Sequence, residues 1–309
     1  MHLGKEKSKV TGDTDSLRQL ASFIERHPDA LVLTGAGIST ASGIPDYRDA
    51  NGVRRGKAPV QGPEFRASEA VRRRYWARSM VGWPVISMAQ PNSGHQALAR
   101  LQAHGRLGSI ITQNVDGLHQ RAGSSDVLEL HGSIHGVVCL ACGRRQARAQ
   151  VQAQLEARNP QMAGAAALPA PDGDAHLEPA FLDTFQVPEC PDCAGVLQPD
   201  VVFFGDSVPG MRTGQANALV DKASALLVVG SSVMVHSGYR LCTRAAESGK
   251  PLAALNAGRT RADHLFGIKS EQPLQETLPL LATMLLSISP AGGQDEADQA
   301  CVPYGDKKT

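Results

Sequence analysis

Six short apolar runs recur along the chain, and each ends in a cluster of small or polar residues. The runs are ALVLTGAGIS from Ala30, SIITQNVD from Ser109, VLELHG from Val127, VVFFGD from Val201, LLVVGSS from Leu226 and LAALNAG from Leu252. Four to six apolar residues without alternation are typical of strands buried on both faces. Because helical patterns lie between several runs, the chain is predicted to form an α/β fold around a doubly wound parallel sheet.

The helical patterns are bounded by ordinary start and stop signals. They cover Asp15 to Arg26, Ser93 to His104 and Ser237 to Ser248. Ser93 is the expected cap of the second helix, and glycines follow the second and third helices.

Ligands of a doubly wound sheet bind beyond the carboxyl ends of its strands, where the strand order reverses. The polar residues that follow the six runs are therefore predicted to converge on one crevice. They include Ser39, Asn114, Asp116, His131, Ser231, Ser232 and Asn256.

The charge of the chain is balanced, with 31 basic and 30 acidic side chains among 309 residues. This composition excludes a disordered or fibrous chain and supplies no field that would attract nucleic acid or anionic lipid, so neither is an expected partner. The longest apolar stretch, Leu278 to Leu286, is too short to span a bilayer. The first residues resemble no targeting segment, and the cytoplasm is the expected compartment.

Four of the six cysteines form two CxxC pairs, Cys139 with Cys142 and Cys190 with Cys193. Four thiolates complete a tetrahedral zinc shell, which leaves no position for water, so the predicted metal is structural. A redox dithiol is the alternative, but one pair would suffice for that chemistry. The other two cysteines, Cys242 and Cys301, are interpreted as a small buried residue on a helix and a tail residue.

Three segments carry groups that could act on a ligand, and each has a structural alternative. The glycines of Gly35 to Ser39 could admit a pyrophosphate or form a tight turn; Thr40 replaces the third glycine of the usual fingerprint. His131 could be a general base or a structural histidine. The amide and carboxylate groups of Gln113 to Asp116 could hold sugar hydroxyls and a carboxamide or cap the next helix.

Several motifs in this order resemble the sirtuin family, over about residues 15 to 285. They are GAGIS at 35–39, GIPDYR at 43–48, TQNVDGLH at 112–119, LHG at 130–132, the two CxxC pairs, PDVVFFGD at 199–206, GSS at 230–232 and NAG at 256–258. YWARSMVGWP, PDGD, FQVP and SGYR are most similar to class II of that family. Asp46 and Tyr47 stand where many members have Thr and Phe, a change that class II shares.

The resemblance implies an NAD-dependent protein lysine deacylase that transfers the acyl group of acyl-lysine to ADP-ribose and releases nicotinamide. NAD would be a co-substrate, one Zn²⁺ would be structural, and His131 would deprotonate a ribose hydroxyl, with Asn114 and Asp116 completing the catalytic group. The NAD-binding residues by family motif are Gly35, Ala36, Gly37, Ser39, Asp46, Tyr47, Arg48, Gln113, Asn114, Asp116, Gly230, Ser231, Ser232, Asn256, Ala257, Gly258 and Leu274.

The resemblance also places the protein substrate. The segment Val202, Phe203, Phe204 and Gly205 would pair with the backbone of an acylated protein. Tyr75 and Arg78 resemble the Tyr-x-x-Arg pair that grips acidic acyl groups, although plain packing of this aromatic helix is the preferred interpretation.

Two other functions remain open: mono-ADP-ribosyl transfer to protein from the same NAD site, and a non-catalytic nucleotide-binding module. A binder would not need His131 with Asn114 and Asp116. The predicted organisation is a Rossmann-like domain at 13–136 and 196–287, a small zinc module at 137–195 and a disordered tail at 288–309, in a monomer.

Overall fold

The computed structural model describes residues 4–55, 58–162 and 182–287, with side chains from residue 14 onward. Six parallel strands, numbered along the chain, form the larger sheet. They are β1 (Leu31–Thr34), β2 (Ile110–Thr112), β3 (Val127–Glu129), β7 (Leu226–Val229), β8 (Leu252–Leu255) and β9 (Ile268–Ser270). Their order is β3-β2-β1-β7-β8-β9, so the strand order reverses between β1 and β7. The predicted doubly wound parallel sheet is confirmed.

Helices surround this sheet and link it to a second one. They are α1 (Gly4–Arg26), α2 (Gly62–Ala67), α3 (Glu69–Met88), α4 (Ser93–Ala103), α5 (Leu118–Arg121), α6 (Arg148–Arg158), α7 (Gly210–Lys222), α8 (His236–Glu247) and α9 (Leu274–Ser287).

The predicted N-cap of α4, Ser93, is wrong. The side chain of Asn92, not Ser93, accepts the hydrogen bond from the Gly94 amide at 2.9 Å, which makes Ser93 the first helical residue.

Both faces of the larger sheet are covered, which explains why its strands read as unbroken apolar runs. Helices α1, α4 and α9 pack on one face through a cluster that contains Val32. Helices α7 and α8 pack on the other through a cluster that contains Leu33 and Cys242. Successive strand residues point to opposite faces, so neither face of β1 meets water. Cys242 is fully buried on α8, as predicted.

The run VVFFGD from Val201 does not form a strand of the larger sheet, and this prediction is wrong. It follows the antiparallel strand β6 (Leu197–Val201), which pairs with β4 (Gly132–Cys139) in a second sheet that also contains β5 (Arg145–Ala147). Phe203 is buried against the rings of Phe65 and Tyr75. An aromatic cluster therefore buries Phe203 of this run, and the sixth parallel strand is β9.

A buried arginine ties the second sheet's helix α6 to α3. Arg148 is fully buried, and its guanidinium lies 5.4 and 5.0 Å from the ring centroids of Trp76 and Trp83. It donates hydrogen bonds to the Ser79 carbonyl at 3.2 Å and to Gln152 Oε1 at 2.8 Å. Burial lowers the pKa of Arg148 to about 10. The aromatic helix thus packs on this cation.

Two predictions fall on residues that the structure does not describe. The tail at 288–309, which includes Cys301, and the insert that contains PDGD lie outside the described residues. The second sheet extends from Gly132 to Val201, beyond both predicted limits of the small module. Among the described helices, none is long and apolar enough to pass through a bilayer.

Candidate active site and metal centre

A cavity of about 710 Å³ opens at the carboxyl ends of the parallel strands, where the order reverses. The predicted convergence of polar residues is confirmed, since Ser39, Asn114, Asp116, His131, Ser231, Ser232 and Asn256 all line it. Its size lies within the range of about 300 to 1,000 Å³ that is usual for ligand pockets.

The glycine turn after β1 is pressed against the loop after β7. A Cβ atom on Gly35 would lie 2.7 Å from the Ser231 Cβ, and one on Gly37 would lie 2.8 Å from the Gly230 carbonyl oxygen. The Gly37 amide donates to that same carbonyl at 2.9 Å. Any side chain at either position would force the two strand tips apart, so the glycines are required for the cavity floor as well as for any bound phosphate.

A buried carboxylate organises the side of the cavity beyond β2. Asp116 accepts hydrogen bonds from the Ser39 hydroxyl at 2.7 Å and from the Leu118 amide at 3.0 Å. Asn114 donates to the Ser39 hydroxyl oxygen at 3.0 Å and to the Gly35 carbonyl at 3.1 Å. Asp116 therefore accepts from the first amide of α5, whose N-cap position is Gly117, and it also orients Ser39, to which Asn114 donates.

The loop after β7 carries backbone strain. Val233 is buried and has φ of +44°, in the left-handed region that β-branched residues rarely adopt. Its amide donates to the Ser231 hydroxyl oxygen at 3.1 Å, and Gln113 Nε2 donates to the same oxygen at 2.7 Å. Ser231 is thereby fixed between the two strand tips. Such strain is concentrated at functional sites.

His131 lies where the chain passes from the larger sheet to the second one, two residues after β3 and directly before β4. Its Nδ1 is 2.9 Å from the Gln113 carbonyl oxygen, which can only accept, so Nδ1 carries the proton. Its Nε2 is 2.8 Å from the Ser237 hydroxyl and accepts from it. Burial, more than the positive charge of Arg212, lowers the pKa of His131, so the imidazole is neutral and basic at neutral pH.

Charged side chains of both signs line the cavity, and four of them are aspartates: Asp46, Asp49, Asp116 and Asp206. Five arginines line it, and among the described residues Arg55 alone is paired with a carboxylate, that of Asp46 at 3.2 Å. The five are Arg48, Arg54, Arg55, Arg240 and Arg259. Unpaired guanidinium groups beside a tight glycine turn suit a pyrophosphate, and the amide and hydroxyl groups of Asn114 and Ser231 suit sugar hydroxyls. The lining therefore fits NAD.

The segment that follows β6 borders the cavity between the two sheets. The Val202 amide donates to the His131 carbonyl at 2.8 Å, and the Phe204 carbonyl accepts from the Gly62 amide at 2.9 Å. Tyr47 meets the Phe204 ring edge to face at 5.9 Å, and the Arg54 guanidinium lies 4.8 Å above that ring. The segment thus connects the histidine to the loop of GIPDYR.

The structure brings most, but not all, of the predicted site residues to the cavity. Tyr75 lines it and Arg78 does not; Gly258 does not either, because its backbone packs against Ala50. The other predicted NAD residues line the cavity: Ala36, Asp46, Tyr47, Arg48, Gln113, Gly230, Ala257 and Leu274 among them. Val202 to Gly205 line it as well.

Sequence reasoning missed Ser237, Arg54, Arg240 and Arg259, which also line the cavity. Only Ser237 had a usable signal, since it stands at the start of a helix that follows a strand tip. Isolated arginines, two in loops and one on α8, carry no pattern.

The four CxxC cysteines form a second candidate centre, away from the cavity lining. Their sulfur atoms all lie within 4.8 Å of one another, with Cys139 to Cys193 at 3.6 Å and Cys142 to Cys190 at 3.7 Å. A zinc–sulfur distance of about 2.3 Å places the sulfurs of a tetrahedron about 3.8 Å apart. The cluster therefore fits a structural zinc ion with four thiolate ligands. A Cβ on Gly195 would lie 2.9 Å from the Cys139 sulfur, which shows how closely the two turns meet.

Known proteins resemble this chain in sequence and in fold. The model of the Sir2 family matches residues 35–237. A Pseudomonas syringae pv. tomato protein named NAD-dependent protein deacetylase 3 is 52% identical over 274 residues, 88% of this chain and 96% of that protein. A Xanthomonas axonopodis pv. citri protein named NAD-dependent protein deacetylase is 52% identical over 262 residues, 85% of this chain and 89% of that protein.

Solved structures of Sir2 proteins also resemble this chain in fold. A structure of Sir2 with a p53 peptide and NAD⁺ has a TM-score of 0.70 and 28% identity, covering 88% of this chain and 99% of that one. A structure of Sir2 bound to acetylated peptide has a TM-score of 0.67 and 27% identity, covering 88% and 99%.

Proposed function

The chain belongs to the Sir2 family, and from that membership we infer that it is an NAD-dependent protein lysine deacylase. NAD is its co-substrate, and the four-cysteine cluster fits a structural zinc. The observation that carries the function is the cavity at the strand tips, where a neutral histidine, a buried Asn–Ser–Asp network and unpaired arginines face one space. The deacylase function fits the relatives better than mono-ADP-ribosyl transfer.

We propose the following division of roles. The glycine turn and Ser39 hold the phosphates and ribose, with Ser231, Ser232 and Asn256 on the adenosine side. NAD supplies an activated sugar carbon from which nicotinamide can leave. Asn114 and Asp116 orient the ribose and carboxamide at the nicotinamide end, because the amide and the carboxylate are both fixed by hydrogen bonds with Ser39 and with the backbone.

His131 is the proposed general base. Its Nδ1 proton is committed to the Gln113 carbonyl, so Nε2 is the nitrogen that can take a proton from a ribose hydroxyl. The lowered pKa supports this role, since a protonated imidazole could not act as a base.

The loop that carries Asp46, Tyr47 and Arg48 is proposed to cover the reacting centre. It packs on Phe204 through an aromatic contact. Exclusion of water matters in this reaction because a cationic sugar centre is captured by any nearby nucleophile. The acyl-lysine carbonyl must therefore be seated before the bond to nicotinamide breaks.

The segment Val202 to Gly205 is the proposed docking edge for the substrate backbone. It borders the cavity and is tied by backbone hydrogen bonds to His131 at one end and to Gly62 at the other. These ties would place a bound lysine near the base.

We propose that the protein is a class II enzyme that acts as a monomer in the cytoplasm. Its proposed substrates are acylated proteins and not nucleic acid, because a chain of balanced charge supplies no field that attracts a polyanion. We assign no acyl-binding role to Arg78, because it does not line the cavity and Tyr75 packs on Phe65 and Trp76.

The test is to incubate the protein with NAD and a panel of acyl-lysine peptides, following nicotinamide release and peptide mass. We expect acyl-dependent release with loss of the acyl mass, and a fall of about 10²- to 10⁴-fold in His131→Ala. His104→Ala, an exposed histidine, is the matched control. Constant peptide masses with ADP-ribose gained by protein would contradict the deacylase function.

A further inference from the structure

The imidazole of His131 is hydrogen-bonded at both of its nitrogens. The Gln113 carbonyl accepts from Nδ1 at 2.9 Å, and the Ser237 hydroxyl donates to Nε2 at 2.8 Å. The second bond occupies the lone pair that the proposed base must use. Ser237 and His131 line the same cavity, so the bond between them lies at its wall.

The position of Ser237 is set by close packing. Ser237 is the second residue of α8, and the next residue, Gly238, packs directly on the Gln113 side chain. A Cβ on Gly238 would lie 2.6 Å from Gln113 Oε1. The start of α8 and the tip of β2 therefore hold the imidazole between them. Gln113 is itself fixed by its hydrogen bond to Ser231, which prevents the pair from drifting apart.

We propose that Ser237 is a positioning residue for the base: its hydroxyl holds the Nε2 lone pair of His131 toward the cavity and yields that nitrogen to the ribose hydroxyl. This proposal rests on the proposed function. A serine suits the role because a single side-chain torsion moves its hydroxyl, and a hydroxyl both donates and accepts. Rotation away from Nε2 exposes the base without movement of the backbone.

The same bond has an electrostatic consequence. The Ser237 hydroxyl can donate to Nε2 only while the imidazole is neutral, and it must rotate to accept from Nε2 once that nitrogen is protonated, so the bond in this orientation favours the neutral form. The charged groups nearest His131 act alongside it: Arg212 of α7 also opposes protonation, and its charge is partly offset by Asp200 at 3.6 Å. Arg240, one turn further along α8, lines the cavity as well. Loss of the Ser237 hydroxyl should therefore raise the pKa of His131.

The experiment compares the wild type with Ser237→Ala and Ser237→Thr, which keeps a hydroxyl. Ser248→Ala, at the end of the same helix, is the matched control. NMR titration of the His131 ring nitrogens is carried out without NAD. We expect Ser237→Ala to raise the His131 pKa by roughly 0.5 to 1 unit. Ser237→Thr should keep the pKa of the wild type.

The second readout is the pH profile of nicotinamide release with NAD and an acyl-lysine peptide. We expect Ser237→Ala to move the acidic limb of the kcat/KM profile to higher pH, by the same amount as the His131 pKa. We also expect kcat at neutral pH to fall by about 3- to 10-fold, with KM for NAD almost unchanged. Ser237→Thr should recover most of kcat.

An unchanged His131 pKa and an unshifted acidic limb in Ser237→Ala would refute the proposal. A loss of kcat that Ser237→Thr does not recover, with no change in the pH profile, would refute it too and would indicate a merely structural role. A wild type that shows the expected NMR behaviour but releases no nicotinamide would contradict the proposed function, not the hydrogen bond.

Discussion

The cavity and the cysteine cluster hold their polar groups in different ways. In the cavity several polar side chains are paired with one another: Ser39 with Asp116, Gln113 with Ser231, His131 with Ser237. In the cluster four sulfur atoms face one another within 4.8 Å. Two of these cysteines are buried and two are exposed.

The difference indicates what each region needs in order to be ordered. Hydrogen bonds between protein side chains orient the groups of the cavity, which suits a site that must bind and release a substrate. Four thiolates without a cation would repel one another, so their arrangement suits a metal that stays bound. Substitutions should therefore affect the two regions to different degrees.

The largest effect is expected at the cysteine cluster. Cys190→Ser should abolish stoichiometric zinc binding and lower the free energy of unfolding by several kcal/mol, because metal binding is coupled to folding of such modules. Metal analysis and thermal denaturation measure both changes. Cys242→Ser, at a buried cysteine outside the cluster, is the control and should keep its zinc. One equivalent of zinc retained in Cys190→Ser would contradict the assigned ligands.

An intermediate effect is expected on acidification. Burial lowers the pKa of His95 to about 4 and that of His119 to about 3. In the unfolded chain both histidines bind a proton below pH about 6.5, so the unfolded state binds more protons and stability falls as pH decreases toward 4. Each histidine should cost about 1 kcal/mol at pH about 5.5.

Urea denaturation at neutral pH and at pH about 5.5 checks this loss, with zinc measured at both. His119→Gln should reduce the pH dependence, and His104→Gln, at an exposed site, should leave it unchanged. Equal pH dependence in all three proteins would show that the buried histidines are not responsible.

The smallest effect on stability is expected within the cavity network. Ser39→Ala removes the hydroxyl that donates to Asp116 and accepts from Asn114, which should cost about 1 to 2 kcal/mol and weaken NAD binding. Calorimetry with NAD and chemical denaturation measure the two changes. Thr40→Ala, at the exposed neighbour, should shift stability by less than about 0.5 kcal/mol. A loss as large as that of Cys190→Ser would remove the contrast between the two regions.

The success of the sequence prediction depended on which surface buries each apolar run. LVLT of β1 and LLVV of β7 are buried on both faces by helices, and an unbroken apolar run is the expected pattern there. VVFFGD has the same pattern, yet only its Phe203 is buried, by aromatic side chains of α2 and α3. A local pattern reports that a segment is buried, but it carries no information about its partners.

The sequence by itself determined the chemistry available to this protein: a glycine turn, a histidine after a strand, polar strand ends and two CxxC pairs. Those features depend only on residue type and on local spacing, both of which can be read from the amino-acid sequence. The tertiary structure alone decided that the imidazole lies between Gln113 and Ser237, that Val233 adopts φ of +44° and that Arg148 lies between two indoles. The first and the last of these features join residues distant along the chain, because packing selects contacts by shape and charge in space, and no short-range pattern encodes that choice.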